Sequence, residues 1–284
     1  MSRTPTRWTT RFAPTPSGFL HEGNVVNLLL TAWWARAAGG RLLLRIDDFD
    51  TARMRPEYLE DIFDTLNWLH ISPDDGPVGP REFTEHWSMS GRRERFVQAR
   101  DQLLAEHSDS VFVCGCSRRE LQAGVFCIAA CSQRGLQLVP GETVVRLRVR
   151  AGTFVVPGTQ VGGPMPPWTV PAGDHVLWRR DDLPAYQLGS VLADEDLGVT
   201  AVMRGVDLLE SSAIQLHLAE LLPAPAFQRA DIRHHVLVEG PDGHKLSKSA
   251  GARAKPLERT PDLLERVQAR AVVLGASIGI VPKA

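Results

Sequence analysis

Residues 8 to 69 alternate between short apolar runs and helical spacing, an order that few architectures accommodate. An extended piece, Trp8 to Ala13, gives way to the turn residues Pro14-Thr15-Pro16-Ser17-Gly18. An apolar stretch through Val25, Leu28, Leu29, Ala32 and Trp33 then reads as a helix that ends at Gly39-Gly40. Arg41 to Ile46 follows as a short, mostly apolar strand, and Pro56 to Leu69 returns to helical spacing. Strands joined through a helix pair in parallel, and parallel strands buried on both faces are near-continuously apolar. The expected fold class is therefore α/β, built on a Rossmann-type parallel sheet. Ligands of such sheets sit beyond the carboxyl ends of the strands. The turn around His21 and the acidic run Asp47-Asp48-Phe49-Asp50 both fall at that edge.

The rest of the chain divides by composition. From about residue 72 it becomes loop-like, and Arg92 to Leu104 then reads as a helix. Thr143 to Arg150 alternates like a strand, and a Pro/Gly-rich stretch, Pro157 to Gly173, reads as irregular. The α/β pattern resumes near Val176 and runs to about Ala250. This gives a Rossmann-type domain in two segments, 1–71 and 176–252, interrupted by an inserted α+β domain over 72–175. Residues 253–284 form a short helical segment. The longest nearly apolar run, Ala271 to Val281, is about eleven residues, too short to cross a bilayer. The first residues lack the apolar stretch of a secretion signal. A soluble, cytoplasmic, monomeric protein with no membrane partner is expected.

Charge is balanced, with a net −1, which excludes a uniformly basic nucleic-acid coat but not a local basic face. The stretch 114–150 holds six arginines against two glutamates, a local +4. Lysine is scarce, four residues against 28 arginines, yet Lys245 and Lys248 lie in one loop, Gly243-His244-Lys245-Leu246-Ser247-Lys248-Ser249-Ala250-Gly251. Mobile point charges between glycines suit a triphosphate whose charge moves during reaction; a solvated basic loop is the plainer alternative. All four cysteines, Cys114, Cys116, Cys127 and Cys131, fall within eighteen residues. A metal site is the leading reading of that clustering, with buried free thiols as the alternative.

The His21 turn and the lysine loop, in this order, resemble the paired ATP-binding motifs of class I aminoacyl-tRNA synthetases. Arg11-Phe12-Ala13-Pro14-Thr15-Pro16-Ser17-Gly18, Leu20-His21, Leu44-Arg45-Ile46-Asp47-Asp48, Tyr186-Gln187-Leu188 and Arg204-Gly205-Val206-Asp207 narrow the resemblance to the glutamyl branch. Only about thirty residues follow the lysine loop, so the chain resembles the short glutamyl-Q tRNA(Asp) synthetase family, without an anticodon-binding domain.

That resemblance implies ATP-dependent, tRNA-independent activation of glutamate. It also implies transfer of the glutamyl group to the queuosine base in the anticodon stem-loop of tRNA(Asp). His21 and Lys248 are then the catalytic residues. Arg11, Phe12, Ala13, Pro14, Thr15, Asp47, Tyr186 and Arg204 line the amino-acid pocket, with Arg11 and Arg204 as carboxylate clamps. His21, Gly23, Asn24, Lys245, Ser247 and Lys248 contact ATP, which is expected to bring Mg2+. One structural Zn2+ is implied at Cys114, Cys116, Cys127 and Cys131, where the family has Cys-x-Cys followed by Tyr-x3-Cys; Phe126 is the other position at which the tyrosine could align. Asp47 stands where the family has glutamate, and Glu22 where it usually has an apolar residue. An adenylating ligase with a small-molecule or carrier acceptor, and a non-catalytic RNA-binding paralogue, are the alternatives.

Overall fold

The computed structural model describes residues 8–117, 120–122, 126–127, 130–154, 168–170, 172–238 and 255–280. Strand β1 (Thr9–Phe12) leads through the 13–21 turn into helix α1 (Glu22–Ala37), then β2 (Arg41–Leu44) and α2 (Pro56–Trp68). A one-turn helix α3 (Pro80–Glu82) and helix α4 (Arg93–Glu106) follow. Next come β3 (Val111–Cys114), the ribbon β4 (Leu121–Gln122) and β5 (Phe126–Cys127), then β6 (Val144–Val149). A second ribbon, β7 (Gly152–Phe154) and β8 (Trp168–Val170), precedes β9 (Gly173–Trp178). The chain continues with α5 (Tyr186–Asp196), β10 (Ala201–Gly205), α6 (Leu209–Leu221), the short α7 (Pro225–Gln228), β11 (Asp231–His235) and α8 (Pro261–Ser277).

Four strands form a parallel sheet in the order β11-β10-β1-β2. Its alternation shows why the sequence reads as continuously apolar. Leu42 and Leu44 of β2, with Ala201 and Met203 of β10, pack on α1, α2 and α8. Leu43 and Val202, one residue out of phase, pack into the opposite core with α5 and α6. Strand order reverses between β1 and β10, and a crevice opens at that reversal beyond the strand ends. Helix α1 is buried on nearly every side, from Val25 through Ala35, because α8 covers the face turned away from the sheet.

The segment between β2 and α5 carries an antiparallel sheet, β3-β6-β9. Its buried residues Val111, Val145, Leu147, Leu177 and Trp178, with Phe96 and Leu103 of α4, share one core with Leu188, Val191 and Ile214 of α5 and α6. Strand β9 spans the expected boundary at 175/176. Among the described residues, only the cysteine lobe has a separate small core: the four cysteines, Phe112 and Val144. The stretch read as irregular, 157–173, contains β8, paired antiparallel with β7, and the first residue of β9; its residues 157–167 and 171 lie outside the described residues. Among the described residues, no helix is long and apolar enough to cross a membrane.

Candidate active site

The crevice at the β1/β10 reversal is a cavity of about 340 Å³. Its walls come from the end of β1 (Arg11 to Pro14), the His21 turn (His21, Gly23, Asn24), Arg45 and Asp47 after β2, Tyr186, and the end of β10 (Met203 to Gly205). Nearly every expected amino-acid and ATP residue among those described therefore lines one pocket. Thr15 alone is not among the lining residues. Lys245, Ser247 and Lys248 lie outside the described residues.

His21 caps α1. Its Nδ1 accepts the Gly23 amide at 3.1 Å, and the Asn24 side-chain oxygen accepts the His21 amide at 3.1 Å, which completes a reciprocal box. A ring nitrogen that accepts a backbone N–H carries no proton, so the proton resides on Nε2. A Cβ at position 23 would lie 3.0 Å from His21 Cε1, so glycine is what lets the ring fold over its own helix.

An ionic cluster that the sequence reading missed underlies the amino-acid end. Arg45 holds Asp47 bidentately, Nε to Oδ1 at 2.8 Å and Nη2 to Oδ2 at 2.9 Å. Its Nη1 meets Asp194 of α5 at 2.5 Å, and Nη2 meets Ser190 Oγ at 3.2 Å. Asp194 also accepts Arg11 Nε at 3.0 Å. With Nε committed, Arg11 offers a substrate only its two terminal nitrogens. All four charged groups are buried. Burial pushes the Asp194 carboxyl up, but Arg11, Arg45 and Arg204 outweigh it and hold the group below the usual carboxylate range.

Arg204 completes the cluster from β10. Its Nη1 donates to Ser212 Oγ at 2.9 Å, and that hydroxyl also meets His234 Nε2 at 2.9 Å. Arg204 Nε and Nη2 are buried and find no partner among the described residues. Three guanidiniums, Arg11, Arg45 and Arg204, gather around the carboxylates of Asp47 and Asp194, and Asp207 lines the same pocket beyond Gly205. Unpaired buried donors on a cation are costly unless an anion satisfies them.

Signals for the missed residues exist in hindsight. Asp194 is an acid on the buried face of α5 with Ser190 and Val191, and Arg45 interrupts the apolar run from Leu42 to Ile46. Asp48, adjacent to Asp47, faces elsewhere: it accepts Ser88 Oγ at 2.5 Å and the Met89 amide at 2.9 Å, which anchors the segment before α4.

The four cysteine sulfurs converge within 4.8 Å of one another, with Cys116 Sγ 3.4 Å from Cys127 and 3.7 Å from Cys131. Tetrahedral zinc with sulfur at about 2.3 Å places ligand sulfurs about 3.8 Å apart, whereas a disulfide needs about 2.05 Å. The spacing fits a four-thiolate metal site, and all four thiols are free and buried. Cys127 Sγ occupies the position that the sequence left open between residues 126 and 127. Asp174 supports the lobe: it accepts the Cys127 amide at 2.8 Å and pairs with Arg148. The expected basic face is thereby reduced. Arg148 is paired to Asp174 and Arg146 is buried, whereas Arg134 and Arg150 are exposed. Arg118 and Arg119 lie outside the described residues.

A parallel sheet with a capped histidine turn at the reversal point and an arginine-lined pocket beside it is the arrangement of a class I tRNA synthetase catalytic domain. The family model for tRNA synthetases class I (E and Q), catalytic domain, matches residues 7–124 and 134–270. The chain belongs to this family and is a ligase of the aminoacyl-tRNA synthetase type. Within the family it is similar to glutamyl-Q tRNA(Asp) synthetases. It is 38% identical over 264 residues to that of Symbiobacterium thermophilum, covering 85% of this chain and 78% of the relative. It is 37% identical over 276 residues to that of Pseudomonas putida, covering 93% and 84%. Among solved structures, the glutamate-tRNA synthetase of Elizabethkingia anophelis shares the fold, with a TM-score of 0.64 at 24% identity over 86% of this chain. This chain spans about half of that one, 53%.

Proposed function

We propose that this protein activates glutamate with ATP, without tRNA, and passes the glutamyl group to the queuosine base in the anticodon loop of tRNA(Asp). The observation that carries the amino-acid half is the pair of unpartnered donors on buried Arg204, which lines the pocket together with Arg11. Glutamate at neutral pH has a net charge of −1. Its side-chain carboxylate can meet Arg204 and the terminal nitrogens of Arg11. Its ammonium group can meet Asp47, whose oxygens keep further lone pairs after Arg45 is satisfied. Tyr186 at the start of α5, 40% exposed, closes the side of the pocket.

Activation then proceeds by positioning and electrostatics. An oxygen of the glutamate α-carboxylate attacks the α-phosphorus of ATP, the bond to the bridging oxygen breaks, and pyrophosphate leaves. The Nε2–H of His21, at the positive end of α1, donates to the phosphates as charge shifts toward the leaving group. Lys245, Ser247 and Lys248 are proposed to follow the departing pyrophosphate. Magnesium would accompany ATP. Cys114, Cys116, Cys127 and Cys131 would hold one zinc ion, whose contribution is to the fold of the cysteine lobe. That lobe, with exposed Arg134 and Arg150, is proposed to grip RNA phosphates. The relatives' names, glutamyl-Q tRNA(Asp) synthetase, support the acceptor.

ATP–pyrophosphate exchange against the common amino acids tests the first half. Glutamate should support exchange without tRNA, and glutamine should not. Arg204→Met should lower kcat/KM for glutamate by about 2–4 kcal/mol and erase its advantage over glutamine. Full glutamate preference in that variant would refute the clamp. Exchange driven better by another amino acid would refute the substrate.

A further inference from the structure

Glu22 is the odd residue of the His21 turn. It follows the histidine directly and occupies the first turn of α1, beside Gly23 and Asn24, both of which line the pocket. An acid there stabilises the helix through its dipole. For the same reason it competes with any anion brought to that helix end, and a triphosphate is such an anion. The structure shows what offsets it. Arg266 Nη2 donates to Glu22 Oε1 at 2.7 Å, and Arg270 Nη1 donates to Glu22 Oε2 at 2.8 Å. Both arginines stand on α8, nearly 250 residues along the chain, four apart on one helix face. The local charge thus changes from −1 to +1.

The other side of the histidine carries a matching tie. The Leu20 amide donates to Asp61 Oδ2 at 2.7 Å, and Asp61 also binds Arg259, just ahead of α8. Each acid flanking the turn is met by arginine from the same C-terminal segment.

We propose that Arg266 and Arg270 are positioning residues for ATP: they neutralise Glu22 and so make the amino end of α1 attractive to the triphosphate. The proposal rests on the assignment of the His21 turn to ATP. It assigns α8 an electrostatic task in the reaction besides covering the core. The two ion pairs are partly exposed, and pairs of that kind contribute little to stability. Their effect on a multiply charged ligand is larger, because each uncompensated charge acts on every phosphate at once.

The test is a charge cycle read by calorimetric titration of the whole protein with magnesium ATP, alongside glutamate-dependent exchange. Arg266→Gln with Arg270→Gln should weaken ATP binding by about three- to tenfold at low salt, and less at high salt. KM for ATP should rise while kcat and KM for glutamate change little. Adding Glu22→Gln to that pair should restore part of the lost ATP binding, and Arg266→Lys with Arg270→Lys should retain it. Melting temperatures of all variants establish that each is folded. If the triple variant binds ATP as poorly as the double, the arginines act as a prop for α8 and the proposal is wrong. Unchanged ATP binding in the double variant, with wild-type exchange intact, overturns the proposal and leaves the assigned activity standing. ATP binding that follows the cycle in a protein with no glutamate-dependent exchange does the reverse. A wild-type protein that binds no ATP removes both.

Discussion

Asp47 and Arg45 show how a single side chain gains its meaning from its partner. Aspartate is one methylene shorter than the glutamate that the family resemblance leads one to expect here, and it is clasped by Arg45 two residues earlier. The motif residues Arg11, His21, Asn24, Tyr186 and Arg204 were legible in the sequence because each sits in a short local pattern. Asp194 was not: it meets Arg45 across 149 residues and Arg11 across 183, and no local window contains such a pairing. His234 belongs with it. Burial, reinforced by Arg204 and His235, pushes its imidazole down to about 3. The folded protein therefore holds His234 neutral at a pH where the unfolded chain, with a pKa near 6.5, takes up a proton. Its contribution is complete above about pH 6.5 and is lost as pH falls toward 3, by up to about 1.4 kcal/mol per unit. Between pH 6.5 and 5 this group alone should cost about 2 kcal/mol. Burial lowers His175 and His235 in the same direction. Urea midpoints at the two pH values should show the loss, and His234→Gln should remove this part of it. An equal loss in the variant would contradict the assignment.

At the level of elements, α1 repays the closest reading. Its start follows from the capping box at His21, and its end from Gly39, which adopts a positive φ of 61°. The sequence placed that helix and its glycine stop but could not show that His21, proposed to act on the phosphates, is itself the cap. Gly23→Ala separates the two roles. Alanine favours the helix by about 0–1 kcal/mol over glycine, while its Cβ presses on the His21 ring. Melting temperature should hold or rise, and the exchange rate should fall about tenfold or more, since about 1.4 kcal/mol of misplaced transition-state contact suffices. A variant with wild-type exchange would show that the ring position is immaterial. Helix α8 was legible as a helix, yet its arginines acquire significance only when Glu22 and Asp61 are brought beside them.

Over the whole molecule, the parallel sheet and a ligand edge beyond its strand ends could be read in advance, because βα order and near-continuously apolar strands are sequence properties. How far the antiparallel sheet merges with the α5–α6 core could not. That depends on contacts such as Trp178 with its neighbours in a shared cluster, made between segments far apart in the chain. The cysteine lobe is the exception, held by four sulfurs over a small core. Purified protein should carry about one equivalent of zinc. Cys116→Ser should lose the metal and lower the melting temperature while glutamate-dependent exchange largely survives, since the pocket shares no residue with the lobe. Protein purified without chelators that holds no zinc would end that reading.

The most direct test of the account joins both halves of the reaction. Labelled glutamate and ATP are supplied with an isolated tRNA(Asp) anticodon stem-loop bearing queuosine, the same stem-loop with guanosine in its place, and unmodified tRNA(Glu). The account predicts label on the queuosine stem-loop alone, lost with Arg204→Met. Label on tRNA(Glu), with none on the queuosine stem-loop, would contradict it.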